Sequence, residues 1–289
     1  MTASLLSTLI AMSAAFLFAL SAQIQNVGLA TDDTRIGTLV VVGATTAFFW
    51  LAAPFVVRLD YLATTATLLF AATGIVQPTL TMTLWVEGIK RLGPTLNAGL
   101  SAVAPIFSAT FAILLLGEVM TWPVALGTAA VTSGVVVAAL RGQNTISHFP
   151  AWAVLLPLAA AFGRSLTHTV TKIGYAEVPS PFFASLVGIT VGFLLLAIHY
   201  KWKRYPLNLR GPGIKYFIGA GAVNTFALYL LNTALAVGKL ITVAPVLALS
   251  PIFAMLMGLL IFRREQFTWR TFVTIALVVP GVILITLRG

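Results

Sequence analysis

Arg164 is the residue of this chain whose type and position most demand a chemical reason. It sits near the middle of an apolar run in which residues 160–176 read AAFGRSLTHTVTKIGYA. An arginine at the centre of a membrane helix costs about 2.5–3.5 kcal/mol on insertion scales, so such residues face a cavity or a partner. A guanidinium presents a planar fork of donors suited to two oxygens of a carboxylate or phosphate. The structural alternatives are an ion pair, or donation to backbone carbonyls where a helix breaks. His168 follows one helical turn later on the same face. A neutral imidazole there would hydrogen-bond a substrate, and a titrating one would couple to protons. The neighbouring guanidinium disfavours its protonation, which argues against an easy proton carrier; the ordinary alternative is a buried histidine that is simply satisfied.

Polar side chains inside other apolar runs form a candidate lining: Gln23, Gln25, Asn26, Gln77, Asn97, Ser101, Asn224, Tyr229 and Asn232. Trp85 and Tyr229 would stack on a substrate or pack in the core. Buried amides in lipid need partners, so interhelical bonding is the competing role for each. Asn26 and Lys172 lie near the ends of their runs and are expected to reach the membrane interface. Prolines interrupt helices and free carbonyls from their ladders. Pro78, Pro105, Pro157 and Pro251 are the candidates, with Pro105 and Pro251 the expected hinges.

The missing chemistry narrows the function classes. No Asp or Glu lies centrally in an apolar run, and the nearest, Glu87, is at the end of one. A carboxylate-driven proton antiport therefore lacks its obvious residue. Glu118 and Glu265 are expected to cap helix ends or pair in loops. There is no phosphate-binding loop, no HExxH and no sensible Ser/His/Asp set. His148, His168 and His199 show no metal spacing, and the chain has no Cys, so neither a metal site nor a cofactor is expected.

The elements that must position these residues follow from composition. Of 289 residues, 59% are hydrophobic and 8% charged, against about 25% charged in soluble domains. Ten spans of about 20 residues would use about 200 residues and leave about 90 for connections. Ten apolar segments are legible, at about 4–28, 36–57, 62–86, 94–116, 121–140, 150–173, 181–200, 214–236, 241–262 and 267–287. They are about twice as long as barrel strands and lack alternation, so they read as helices. The first has no basic residue before it and no cleavage site, and reads as a retained span. The +10 net charge is then a matter of loops and topology, with no reason to expect nucleic acid.

The chain also repeats itself. At a shift of 146, Ala14, Ala15, Phe16, Leu20, Gly28 and Ala30 meet identical residues at 160, 161, 162, 166, 174 and 176. At the same shift Ala98, Ala102, Pro105, Ile106 and Phe107 meet Ala244, Ala248, Pro251, Ile252 and Phe253. At 147, Glu118, Thr121, Trp122, Gly134, Leu140, Arg141 and Gly142 meet Glu265, Thr268, Trp269, Gly281, Leu287, Arg288 and Gly289. Two five-span units, 1–142 and 143–289, are the expected domains. Five is odd, so the second unit starts on the opposite membrane face and sits inverted. The expected fold is thus an all-α integral membrane protein of ten transmembrane helices in two inverted five-helix repeats. Secondary transporters are commonly built this way, with a central site at the repeat interface exposed alternately to each side. Arg164 meets Phe18 in the repeat, so its charge belongs to one half only. Gly127, Ala130, Gly134 and Gly281 mark the fifth and tenth segments as close-packed scaffold.

The repeated unit resembles the drug/metabolite transporter superfamily, specifically its EamA-type ten-helix members. The resemblance rests on Pro105 in APIFSATFAILLLGE with Gly117-Glu118 at its end, and on Pro251 in SPIFAMLMGLLIFRRE ending at Glu265. Two departures are Arg264 in place of the second Gly, and Phe18 or no residue for a Trp early in the first helix. The resemblance implies export or exchange of small metabolites, such as amino acids or drugs, across the cytoplasmic membrane.

The expected function is therefore secondary transport of a small polar or amphiphilic metabolite bearing an anionic group, by alternating access. A lipid flippase of the same fold, with a groove open to lipid beside Arg164, is one alternative. A membrane enzyme is the other and lacks a catalytic motif. Expected partners are the small-molecule substrate and membrane lipid, the protein being a monomer or homodimer. Loops after odd-numbered segments carry Arg35, Lys90, Arg91, Arg141, Lys201, Lys203, Arg204, Arg210, Lys215, Arg263, Arg264 and Arg270; the other face has Arg58, Lys172, Lys239 and Arg288. The positive-inside rule then places both termini outside the cytoplasm, whereas the resemblance implies both inside.

Overall fold

The fold comes from a computed structural model, which describes residues 3–139, 149–205, 209–261 and 268–288. Arg141, His148, Arg263, Arg264, Glu265 and Gly289 lie outside the described residues. The described chain is helical: α1 (Ala3–Gly28), α2 (Thr34–Val56), α3 (Thr65–Gly74), α4 (Thr81–Ser101), α5 (Ala104–Leu116) and α6 (Trp122–Ala139) form the first half. The second half has α7 (Leu155–Gly174), α8 (Pro181–Trp202), α9 (Ile214–Val237), α10 (Leu240–Leu247), α11 (Ser250–Leu260) and α12 (Trp269–Arg288). Nine helical runs among the described residues are long and apolar enough to cross a membrane, and Thr271–Leu287 is a shorter apolar tenth. Large apolar side chains such as Phe55, Leu68 and Leu114 point outward, as a lipid-facing surface requires.

Three spans are broken, each at a proline. The third span runs to Gly93, beyond the segment read from the sequence, and is interrupted at Ile75–Leu80. Gln77 there has φ −131° and ψ 126°, because the ring of a following proline excludes the helical region for its predecessor. Gly93, with φ 80° and ψ 160°, turns the chain from the third span into the fourth, a conformation that a side chain would strain. The fourth span breaks between Ser101 and Ala104 and the ninth between Leu247 and Ser250. In both cases the proline is the second residue of the new helix. Pro157 behaves otherwise: it lies in the first turn of α7 and breaks nothing, since N–H groups there have no helical acceptor to lose.

The two repeats interlock, and the residues shared between copies explain how. Gly28 packs on Phe217, and its mate Gly174 packs on Phe70; a Cβ at either glycine would come within 2.6 or 2.5 Å of the ring. Gly127 of α6 and Gly281 of α12 bring two backbones together, a Cβ at Gly127 falling 2.6 Å from the Gly281 carbonyl oxygen. Acidic residues tie each half to the other half's helix N-termini. Asp32 accepts from Gly213 N at 2.6 Å ahead of α9, and Glu177 accepts from Thr65 N and Ala66 N at the start of α3. Carboxylates are favourable at these positive helix ends.

Candidate functional site

A cavity of about 960 Å³ lies between the repeats. Its lining is built from repeat mates. Phe18 faces it with Arg164, Trp85 with Leu231, Ser101 with Leu247, Pro105 with Pro251, and Ser108 with Ala254, each pair separated by 146. A cavity lined by both members of so many pairs straddles the pseudo-two-fold axis. Its chemistry is not symmetric: in Phe18/Arg164, Ser101/Leu247 and Ser108/Ala254 one member is polar and the other apolar. The lining continues to Asn26, Ala139 and Thr268, at span ends on the face of the odd-numbered loops. No residue of the opposite loops, 117–121, 174–180 or 238–239, belongs to it.

Arg164 is the charged side chain of this lining, and among the described residues it makes no hydrogen bond or ion pair. α7 is held so that Arg164 faces the cavity: Ser165 donates to the Ala104 carbonyl at 2.8 Å and meets Ser108 at 3.0 Å, locking α7 against the broken fourth span. Pro105 and Pro251 lack an N–H, so the carbonyls of Ser101 and Leu247 have no helical donor at the two breaks. Gln23 lines the cavity and donates to the Ala254 carbonyl of α11 at 2.9 Å. Ser101 reaches the Pro157 carbonyl at 3.4 Å.

A second cavity of about 280 Å³ adjoins the first. Phe18, Gln77, His168 and Leu231 line both, and so form the partition. His168 Nδ1 is buried without a partner. Gln77 accepts from Thr167 at 3.2 Å. Asn224 faces this chamber and donates to Thr45 at 3.2 Å. Asn232 also faces it, but both ends of its amide are engaged: it accepts from Tyr175 at 3.0 Å and donates to Ser185 at 2.8 Å.

Arg164, His168, Gln23, Gln77, Ser101, Trp85, Pro105 and Pro251 thus meet around one cavity, and Asn224 and Asn232 around its neighbour. Two expectations fail. Asn97 is fully buried against Gly88, and neither amide atom has a partner; it lines neither cavity. Tyr229 is 40% exposed and packs on Phe182. On α9 the chamber-facing stripe is Asn224, Leu228, Leu231 and Asn232, and Tyr229 lies off that stripe.

Lys172 belongs to a group that sequence reasoning missed. In the last turn of α7 it lies 3.5 Å from Glu118 in the loop after α5, with side-chain exposures of 20% and 8%. It also donates to the carbonyls of Leu235, at 3.2 Å, and Gly238. Glu118 accepts from Leu240 N and Ile241 N, both at 2.9 Å, capping α10 as its place at a helix end led one to expect. The spacing 164, 168, 172 put Lys172 on the face of Arg164; its distant acidic partner had no local signal. Glu87 stays at the odd face, paired with Lys90 and Arg91.

The sequence profile of the EamA-like transporter family matches residues 5–140 and again 151–287. The chain belongs to the EamA-like transporter family. The double match is the duplication seen in the sequence, and it makes this a multi-pass membrane transporter of two five-helix repeats. A probable terminal-alkyne amino-acid exporter from Streptantibioticus cattleyicolor is 41% identical over 73 residues. That match spans 25% of this chain and 24% of the relative. A protein of known crystal structure superposes with a TM-score of 0.80 at 14% identity, over 97% of this chain and 96% of that one. At that identity the likeness concerns the fold.

Proposed function

We propose that this EamA-family member exports or exchanges small metabolites carrying an anionic group, amino acids and organic acids foremost, by alternating access. The observation that carries the reading is the Arg164 guanidinium, without a partner among the described residues and lining a cavity between the repeats large enough for a metabolite. Its fork takes the carboxylate, and the breaks at Pro105 and Pro251 are the hinges about which the repeats rock. The excess of Lys and Arg on the odd-loop face makes that face cytoplasmic and places both termini outside. Aromatic rings under Arg35, Arg91 and Lys203 on that face suit an interfacial belt. The cavity then opens to the cytoplasm of a cell whose inner membrane holds the protein, as loading of an exporter requires. The amino-acid exporter named among its relatives supports the substrate class.

The test is counterflow in proteoliposomes with wild type, Arg164→Ala and Arg164→Lys, against amino acids, organic acids, phosphorylated metabolites and cationic drugs. Loss of a charge-assisted hydrogen-bond pair worth about 1.5–3 kcal/mol predicts a ten- to hundredfold fall for anionic and zwitterionic compounds in Arg164→Ala. Normal transport by folded Arg164→Ala overturns the reading. Lipid scrambling by a wild type that moves no metabolite would do so in favour of a flippase.

A further inference from the structure

The smaller chamber also contains repeat mates: Gln25 faces it with Thr171, Thr38 with Ala184, and Met82 with Leu228, each pair again 146 apart. Both cavities therefore straddle one pseudo-two-fold axis. In an inverted repeat that axis lies in the membrane plane. The chamber adjoins the main cavity through the shared wall of Phe18, Gln77, His168 and Leu231, and its lining reaches Thr171 and Ala184, near the face that the main cavity does not reach. Its volume of about 280 Å³, against about 960 Å³ for the main cavity, suits a small polar group.

Its walls specify what kind of group. The described lining carries no charged side chain, so a charged tail would lose its hydration without compensation. Yet hydroxyls and amides are dense for a site deep in a membrane. Asn224 spends one amide end on Thr45, and His168 Nδ1 in the doorway has no partner among the described residues. An apolar tail would leave such groups unpaired, at about 1–3 kcal/mol each. Arg164 and His168 are one helical turn apart, with about 5–6 Å between their Cβ atoms. An anion site at the one and the doorway at the other therefore fall within the length of one α-amino acid such as glutamine.

We propose that the chamber is a specificity subsite for the uncharged, hydrogen-bonding tail of a zwitterionic substrate whose carboxylate is bound at Arg164, with His168 and Gln77 forming its doorway. This rests on the Arg164 reading above and adds the tail class to it. The test is binding and counterflow of L-glutamine, L-leucine, L-glutamate and L-alanine by purified full-length protein. The variants are Thr38→Phe, which fills the chamber, Asn224→Leu, which removes its amide, and Arg164→Ala. Wild type is expected to favour L-glutamine over L-leucine and L-glutamate by about tenfold or more. Thr38→Phe lowers the L-glutamine to L-alanine ratio about tenfold, and Asn224→Leu moves preference from L-glutamine toward L-leucine. Equal handling of L-glutamine and L-leucine by wild type overturns the proposal, as does failure to bind L-glutamine. Unchanged ratios in both folded chamber variants, with Arg164→Ala inactive, overturn it while leaving the Arg164 reading intact. Full activity of Arg164→Ala removes the Arg164 reading itself.

Discussion

Removing the Lys172 ammonium should open the membrane face that is closed in this structure. Lys172 joins α7 to the loop after α5, through Glu118, and to the α9–α10 turn, through the Leu235 and Gly238 carbonyls. Deleting one partner of a fully buried ion pair costs about 3–5 kcal/mol. Lys172 is only partly buried, and Glu118 keeps two amide donors, so about 2–3 kcal/mol is the appropriate range. If opening already breaks these contacts, that loss falls on the closed state alone. The open-to-closed ratio on this face then rises roughly 30- to 150-fold. Lys172→Asn is the informative change, because Asn26 is the repeat mate on the open face. The chain has no Cys, so one cysteine at Leu235, fully buried beneath the clasp, reports accessibility to an impermeant maleimide. Labelling should accelerate by at least 30-fold from this face in Lys172→Asn, and slow at a cysteine placed at Asn26. Unchanged labelling at Leu235→Cys in a monodisperse Lys172→Asn protein would refute the reasoning. Faster labelling at both positions would also sink it, since that reports general loosening.

Three further outcomes follow from the packing. Gly127→Leu drives a side chain into the Gly281 backbone and should destabilise the α6–α12 pair by about 1–3 kcal/mol, read as a lower Tm in detergent. Glu177→Ala removes the acceptor for Thr65 N and Ala66 N and should cost about 1 kcal/mol, whereas Glu177→Asp should recover part of the lost Tm. Pro251→Ala returns a donor to the Leu247 carbonyl and should continue α10 into α11; a higher Tm with slower counterflow is expected, and unchanged turnover would deny the hinge.

The number of spans, the duplication, the inversion and the family were all legible from the residues alone, because length, apolarity and self-similarity are properties of the chain in one dimension. The breaks at Pro105 and Pro251 were legible for a similar reason: a missing N–H acts on the nearest turn whatever surrounds it. So was Arg164, since its burden is set by depth along one helix. Which face of each helix meets the cavity was another matter. In water an apolar stripe marks the interior, but lipid is as apolar as a protein core, so a lipid-facing side and a packed side read alike. Tyr229 reads as lining on that account yet lies off the stripe, while Asn97 lies behind Gly88. The polar stripe on α7 was the exception, because Arg164 and His168 break the uniformity. Phe18 and Leu231, which divide the two cavities, carry no such mark. Lys172 and Glu118 are distant in sequence and in different repeats, and nothing local announces that they meet. Their pairing, the adjoining of the two cavities and the closed face all arise from how two inverted copies interlock, which is decided only when the helices pack.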